Sequence, residues 1–349
     1  MAVNMNNDVK AEPAPLPANT PVKKRVFSGI QPTGNLHLGN YLGALRNWVQ
    51  TQAQYDNIFC IVDLHAITMP IDPKELHYSI RQLAALYIAV GLDLRYCKLF
   101  VQSHVHEHAE SSWIMNCFTP MGWLNRMTQF KTKAGENVDT VGTGLYCYPV
   151  LMACDILLYH TNYVPVGDDQ RQHIEFTRDL AQRFNSHYGC EVFTIPEAQI
   201  REVGARIMAL DDPTKKMSKS DPNPNSRINL LDDPKTIKQK IARATTDSLR
   251  LVKFDPERPG ITNLLTIYQL LIGESQQEIE AEFEGKGYGD FKAALTERLI
   301  ATLAPIQARH RELMNDLPTL ENMLKQGADQ VRPIAAATLR EIKDVVGLG

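Results

Sequence analysis

Three lysines, Lys215, Lys216 and Lys219, fall within five residues of one another, in a segment from Asp211 to Pro224 punctuated by Asp and Pro. Such residues break regular structure, so the segment reads as a loop. A helix would not hold all three ammonium groups on one face. A mobile cationic loop can close over a polyanion, where charges interact far more strongly than in bulk water. Without the anion the lysines repel one another, which favours an open loop. A solvated charge run is the usual fate of such a cluster. Against that stands Lys216-Met217-Ser218-Lys219-Ser220, a specific five-residue word.

A second candidate follows the short apolar run Arg25–Ile30. In Gln31-Pro32-Thr33-Gly34-Asn35-Leu36-His37-Leu38-Gly39-Asn40-Tyr41, Pro32 and Gly34 make a tight turn. Gly39 lets another group approach the backbone where a helix begins. Backbone N–H groups at a helix start favour anions, and His37 and Asn40 add side-chain donors. Taken alone, the segment reads equally well as a strand–turn–helix corner with a satisfied surface histidine. It is neither a dinucleotide fingerprint nor a Walker loop.

The third candidate is a carboxylate in an apolar run, Asp155 within Val150–Leu158. Pro149 is read as beginning a helix with Tyr148 at its boundary. Tyr148, Met152, Asp155 and Tyr159 then share one face. An unpaired buried carboxylate is expensive, so Asp155 either pairs with an internal Arg, caps a loop, or accepts from a ligand. An indole N–H is a donor only. It would suit Asp155, with Met152, Phe27 and Val166 packing the ring. Such a pocket rejects side chains that cannot donate. Asp63 and His65 follow the second apolar run. Gly167-Asp168-Asp169-Gln170 follows another, placing Gln170 to bind an ammonium or carboxylate and Gly167 to line a ribose. Trp113, Trp123 and the methionines read as core.

The elements that position these groups alternate. Arg25–Ile30, Ile58–Leu64, Lys98–Gln102 and Tyr163–Val166 read as short buried strands, with helices at Gly39–Gln50, Pro73–Val90 and Asp169–Phe184 between them. That alternation predicts an α/β fold with a doubly wound parallel sheet, whose ligand crevice lies at the carboxyl ends of the strands. After about Leu230 the strand signal fades. Pro234–Thr245, Thr262–Leu271, Gln276–Phe283, Phe291–Met314 and Leu320–Val346 read as helices. The organisation expected is a disordered tail over 1–22, a catalytic domain over 23–230 carrying the lysine loop at 215–221, and a helical domain over 231–349 whose last helix packs back on the first domain. The 349 residues suit roughly two domains. At 44% apolar and 22% charged the chain is of ordinary globular composition. Its apolar stretches are too short to span a bilayer, so no membrane is expected. The first residues carry no secretory signal. Six cysteines form no CxxC pair, which disfavours a disulfide scaffold or zinc ribbon and points to the cytoplasm. A net charge of −3 does not announce a nucleic acid. The segment from Arg206 to Lys253, however, holds eleven Lys and Arg against six Asp, which fits a phosphate-binding surface.

His37-Leu38-Gly39-Asn40 and Lys216–Ser220 together resemble the two signatures of class I aminoacyl-tRNA synthetases, Rossmann-like enzymes. Ser28–Gly34, Arg126–Lys131, Leu151–Tyr159, Val164–Gln170 and Gly204–Asp221 extend the resemblance to the bacterial tryptophanyl-tRNA synthetase family, over roughly Lys24 to Gly349. The resemblance implies ATP with Mg2+ held mainly by its phosphates, and activation of L-tryptophan to the adenylate. It implies transfer to the 3′-terminal ribose of tRNA(Trp), and a homodimer. His37, Asn40, Lys133, Lys216 and Lys219 would act on the phosphates. Gln31, Pro32, Thr33, Gly39, Gly167, Asp168, Asp169, Met208, Met217 and Ser218 would complete the ATP site. Phe27, Gly29, Gln31, His65, Tyr148, Met152, Asp155, Val164, Val166 and Gln170 would hold tryptophan, and no residues are assigned to a protein-bound metal. Asn40 stands where the family motif has His, an exchange common in the tryptophan branch. The iron–sulfur cysteines of some members are absent, because no Cys follows Cys190. The rival readings are a tyrosyl-tRNA synthetase, a shorter nucleotidyltransferase with the same first motif, and a non-catalytic paralogue. Intact Lys216 and Lys219 speak against the last.

Overall fold

The computed structural model describes residues 23–127, 141–167, 170–199, 206–219 and 221–349. At its centre is a parallel sheet in the order β3-β2-β1-β4-β5. Its strands are β1 (Arg25–Ile30), β2 (Asp56–Ile61), β3 (Cys97–Val101), β4 (Tyr163–Pro165) and β5 (Glu197–Gln199). Arg25 sits opposite Asp56 and Ile30 opposite Ile61, while Ile58 pairs with Lys98 and Tyr163 with Glu197. β2 reads as an apolar run because helices cover both faces of a parallel sheet. The expected doubly wound sheet is present. Its strand order reverses between β1 and β4, which opens a crevice at their carboxyl ends.

Two local expectations need correction. The strand read over Ile58–Leu64 stops at Ile61. The chain then turns into a short helix, Asp63–Ala66, in which Asp63 accepts from Ser103 N at 3.0 Å and Ser103 Oγ at 2.5 Å. Pro149 does not begin its helix but lies inside it, since the helix starts at Gly144. Proline favours a first turn, and an interior position loses one backbone bond that packing must offset. β5 had no strand signal. It is three residues long with a single apolar side chain, and among the described residues β4 is the strand it pairs with.

The helices of the sheet region are α1 (Leu38–Asn40), α2 (Arg46–Thr51), α3 (Asp63–Ala66), α4 (Pro73–Ala89), α5 (Glu107–Phe118), α6 (Met121–Leu124), α7 (Gly144–Leu157) and α8 (Arg171–Tyr188). A π-helical turn at Tyr41–Leu45 joins α1 to α2. Asp72 caps α4 by accepting from the backbone of Lys74 and Glu75, and Gly189 ends α8 in the left-handed conformation. Beyond 230 come α9 (Pro234–Arg243), α10 (Pro259–Ile272), α11 (Gln276–Glu282), α12 (Tyr288–Asn315) and α13 (Leu317–Val346). One hydrophobic core runs from Leu42, Phe59 and Leu99 through Leu264, Phe291 and Leu303 to Leu324 without a break at 230. α13 returns to cross β3 so closely that a Cβ on Gly327 would lie 1.9 Å from the carbonyl oxygen of Leu99.

Trp113 was expected in the core but is 72% exposed on α5, and Met121 on α6 is 65% exposed. Cys117 is likewise exposed, and all six cysteines are free. Among the described residues no helix is long and apolar enough to cross a membrane.

Candidate functional site

The crevice at the switch point holds two adjoining cavities. The first, of about 350 Å3, is walled by β1, β4 and α7. Phe27, Gly29 and Gln31 reach it from β1 and the turn after it. His65 comes from α3, Tyr148, Met152 and Asp155 come from α7, and Val164, Val166 and Gln170 come from β4 and the loop beyond. All ten residues expected around tryptophan therefore line one space. Helical spacing explains the α7 group, and strand alternation puts Phe27 and Gly29 on one face.

Asp155 is 1% exposed. Neither an internal Arg nor a loop cap is its partner. Oδ1 accepts from Gln102 Nε2 at 2.6 Å and lies 2.6 Å from His108 Nδ1, while Oδ2 lies 2.8 Å from His65 Nε2. His108 Nε2 is in turn 2.7 Å from the hydroxyl of Tyr159. Burial alone would raise the carboxyl pKa. The bonds from His108 and His65 outweigh it and hold Asp155 well below the usual carboxylate range. The site therefore presents a fixed anion at the end of an apolar slot. Gln102 and His108 were not anticipated, because nothing in the sequence marks which polar residues of the turn after β3 and of α5 point inward.

The second cavity, of about 510 Å3, shares Trp48, Pro165, Val166 and Gly167 with the first. His37, Gly39, Asn40, Lys216, Met217, Ser218 and Lys219 line it, so the two motifs face one space although almost 180 residues separate them. The backbone explains how. Leu38 N donates to Ile228 O and Leu230 N to Leu36 O, which ties the first loop to the chain just after the lysine loop. The lysine loop is itself a hairpin, with Met217 N donating to Ile207 O and Ala209 N to Lys215 O. Lys219 lays its stem on Gly34, where a Cβ would meet Lys219 Cε at 2.5 Å. Gly34 has φ +61°, which is what requires glycine at this turn, while the flexible end of Lys219 could move aside.

The electrostatics suit a polyanion. Burial, reinforced by Arg227, Lys216 and Lys219, pushes His37 down to about 4, so its imidazole is neutral at pH 7. Its Nδ1 is buried with no hydrogen-bond partner among the described residues. Its backbone N–H donates to Asn40 Oδ1 at 3.1 Å, which holds the Asn40 carboxamide in place. Burial brings Lys219 down to about 8.

Not every expected ATP residue lies in these walls. Gln31 lines the first cavity only, and Pro32, Thr33 and Met208 line neither. Met208 instead pairs with Lys216 across the base of the hairpin. Lys133, Asp168, Asp169 and Ser220 lie outside the described residues. Trp48, Arg206 and Ile207 line the second cavity without having been singled out. Trp48 carried no signal distinguishing it from a core aromatic.

The chain belongs to the class I tRNA synthetases of the tryptophan and tyrosine group, whose family model matches residues 20–304. Within that group it is of the bacterial tryptophanyl type. It is 58% identical to the tryptophan–tRNA ligase of Wolinella succinogenes over 94% of this chain and 99% of that one. It is 53% identical to the enzyme of Gloeobacter violaceus over 95% and 99%. Among solved structures it is similar to the tryptophanyl-tRNA synthetase of Campylobacter jejuni complexed with ADP and tryptophan. That match has 37% identity and TM-score 0.83, covering 93% of this chain and all of that one. The tyrosyl-tRNA synthetase of Archaeoglobus fulgidus, at 20% identity and TM-score 0.62, shares the fold.

Proposed function

We infer that the chain is a tryptophan–tRNA ligase, which activates L-tryptophan with ATP and transfers it to the 3′-terminal ribose of tRNA(Trp). The observation that carries the reading is the buried anion of Asp155 at the end of a ring-sized slot, opening onto a cavity lined with cations. In this reading the indole N–H donates to Asp155 while Phe27, Met152, Val164 and Val166 pack the ring. Gln170, Gln31 and Tyr148 orient the amino acid's polar end towards the second cavity.

Activation is attack by the tryptophan carboxylate on the α-phosphorus, with pyrophosphate leaving. Nothing in this reaction needs a protein nucleophile. The chain supplies orientation and charge. We assign Lys216 and Lys219, with Lys133, to the charge that builds on the departing pyrophosphate. Neutral His37 and the Asn40 amide act as hydrogen-bond donors to phosphate oxygens, and a neutral imidazole donates without adding a fixed charge. Gly39 admits the nucleotide close to the backbone, and Met217 and Gly167 face adenine and ribose. Mg2+ would be held mainly by the nucleotide's phosphates, beside Lys216 and Lys219, and would supply further neutralisation of their charge.

We assign residues 23–230 to catalysis and 231–349 to the tRNA anticodon arm, and the basic stretch from Arg206 to Lys253, which crosses from one to the other, supports a phosphate-binding surface where they meet. A homodimer would cover the exposed Trp113 and Met121 on α5 and α6. The free thiols suit the cytoplasm.

The test is amino-acid-dependent ATP–pyrophosphate exchange with tryptophan, tyrosine and phenylalanine, in wild type, Asp155→Asn and Asp155→Ala. Tryptophan alone should support exchange. The Asp155 variants should lose about a hundredfold or more in kcat/KM, the order expected when a hydrogen bond to a buried charged acceptor is removed. Exchange with tyrosine would overturn the pocket assignment, and no exchange at all would favour a binding paralogue.

A further inference from the structure

The two oxygens of Asp155 are not equivalent. Oδ1 carries two partners, Gln102 Nε2 and His108 Nδ1, both at 2.6 Å. Among the described residues Oδ2 carries one, His65 Nε2 at 2.8 Å. A carboxylate oxygen has two in-plane lone pairs, so Oδ1 is filled and Oδ2 keeps one open. The cavity wall includes Asp155 and His65 but neither Gln102 nor His108, so the filled side faces the protein and the open side faces the ligand space. His108 can fill Oδ1 only if its proton sits on Nδ1. The anionic oxygen can only accept, so it keeps the proton there, and Nε2 is left to accept from the Tyr159 hydroxyl 2.7 Å away, which pins the far side of the ring. Gln102, His108 and Tyr159 are each fully buried. Tyr159 is further fixed by stacking on Phe27, itself a wall of the cavity, with ring centroids 5.8 Å apart and planes at 14°.

We propose that Tyr159, His108 and Gln102 form a positioning relay for tryptophan selection, which saturates Oδ1 of Asp155 and leaves a single oriented acceptor, on Oδ2, for the indole N–H. The relay rests on the reading of Asp155 as the indole acceptor and adds how that acceptor is aimed. None of the three touches substrate. Without the Tyr159 hydroxyl, the buried Nε2 loses its partner and the imidazole is no longer held square to Asp155 Oδ1. The carboxylate is then free to rotate, and the indole meets a poorly directed acceptor.

The readout is pyrophosphate exchange with tryptophan and with the isostere that carries sulfur in place of the indole N–H. Wild type should prefer tryptophan. Tyr159→Phe keeps the ring and removes only the hydroxyl. It should raise the KM for tryptophan roughly tenfold, the order of one hydrogen bond to a charged group, leave the KM for ATP in place, and shrink the preference over the isostere. His108→Asn keeps a donor at the Nδ1 position and should stay near wild type. Adding Tyr159→Phe to it should then cost nothing further, because the acceptor of the hydroxyl is already gone. Gln102→Met tests the same oxygen from the other side and should also shrink the preference, which covers the case of a Tyr159 variant that does not fold. Undiminished preference in Tyr159→Phe or in Gln102→Met, or additive effects of Tyr159→Phe and His108→Asn, would overturn the relay while leaving the indole reading standing. Equal use of the two amino acids by wild type would remove the indole reading, and the relay with it.

Discussion

Lys219 illustrates how a side chain's neighbours set its usefulness. Its stem lies on Gly34 and burial brings its pKa down to about 8. The ammonium charge is therefore complete below that pH and is lost as pH rises through it. A bound polyphosphate restores the charge at the cost of proton uptake. The KM for ATP in pyrophosphate exchange should therefore climb between pH 7.5 and 9.5. Lys219→Arg, whose guanidinium stays charged, should flatten that rise even if it lowers the rate. A rise that persists unchanged in the Arg variant would place the titrating group elsewhere. His37 shows the same physics with a neutral outcome, since burial and three nearby cations keep it unprotonated down to about pH 4. At this scale the sequence was legible where a residue type is itself unusual. A carboxylate in an apolar helix and lysines packed into a short loop announce themselves. Gln102 and His108, which aim the carboxylate, are ordinary residues in ordinary segments, and only their inward orientation gives them a role.

Among the elements, α13 makes the sharpest demand. It meets β3 backbone to helix at Gly327, where the space for a Cβ is taken by the carbonyl of Leu99. Backbone on both sides leaves no flexible side chain to yield. Gly327→Ala should destabilise the fold by about 3 kcal/mol or more, at the upper end of overpacking costs. Chemical denaturation with the wild type alongside would measure it, and a loss below about 0.5 kcal/mol would show that α13 can shift. Helix periods and caps made α4, α8 and the C-terminal helices readable to within a few residues. β5 was not readable, because a three-residue edge strand owes its conformation to the neighbour it pairs with rather than to its own side chains. The interior Pro149 misled for a related reason. A proline signals a helix start only when packing does not hold the preceding turn in place.

At the scale of the molecule, the lysine loop is anchored to the helical region. Asn263 on α10 is buried, accepts from Met208 N at 2.9 Å and donates to Met208 O at 3.0 Å, pairing with the hairpin base as a neighbouring strand would. Asn263→Ala would strand both backbone groups, each costing about 1–3 kcal/mol when buried unpaired. The expected result is a raised KM for ATP with the KM for tryptophan little changed; equal change in both would point to general loosening instead. The core that runs unbroken past residue 230 gives this linkage a rigid base. What the sequence determined by itself was the alternation that builds the parallel sheet, the two signature loops, and the face of α7 that carries Asp155, since each depends on neighbours a few residues away. Only the tertiary structure decided the rest. It brought His37 and Lys216 to one cavity through backbone bonds from Leu36 and Leu38 to Ile228 and Leu230. It chose the partners of Asp155 from three separate elements, and it seated α13 on β3. Those contacts join residues far apart in the chain, and no local pattern of residue types records which distant surface a side chain will meet.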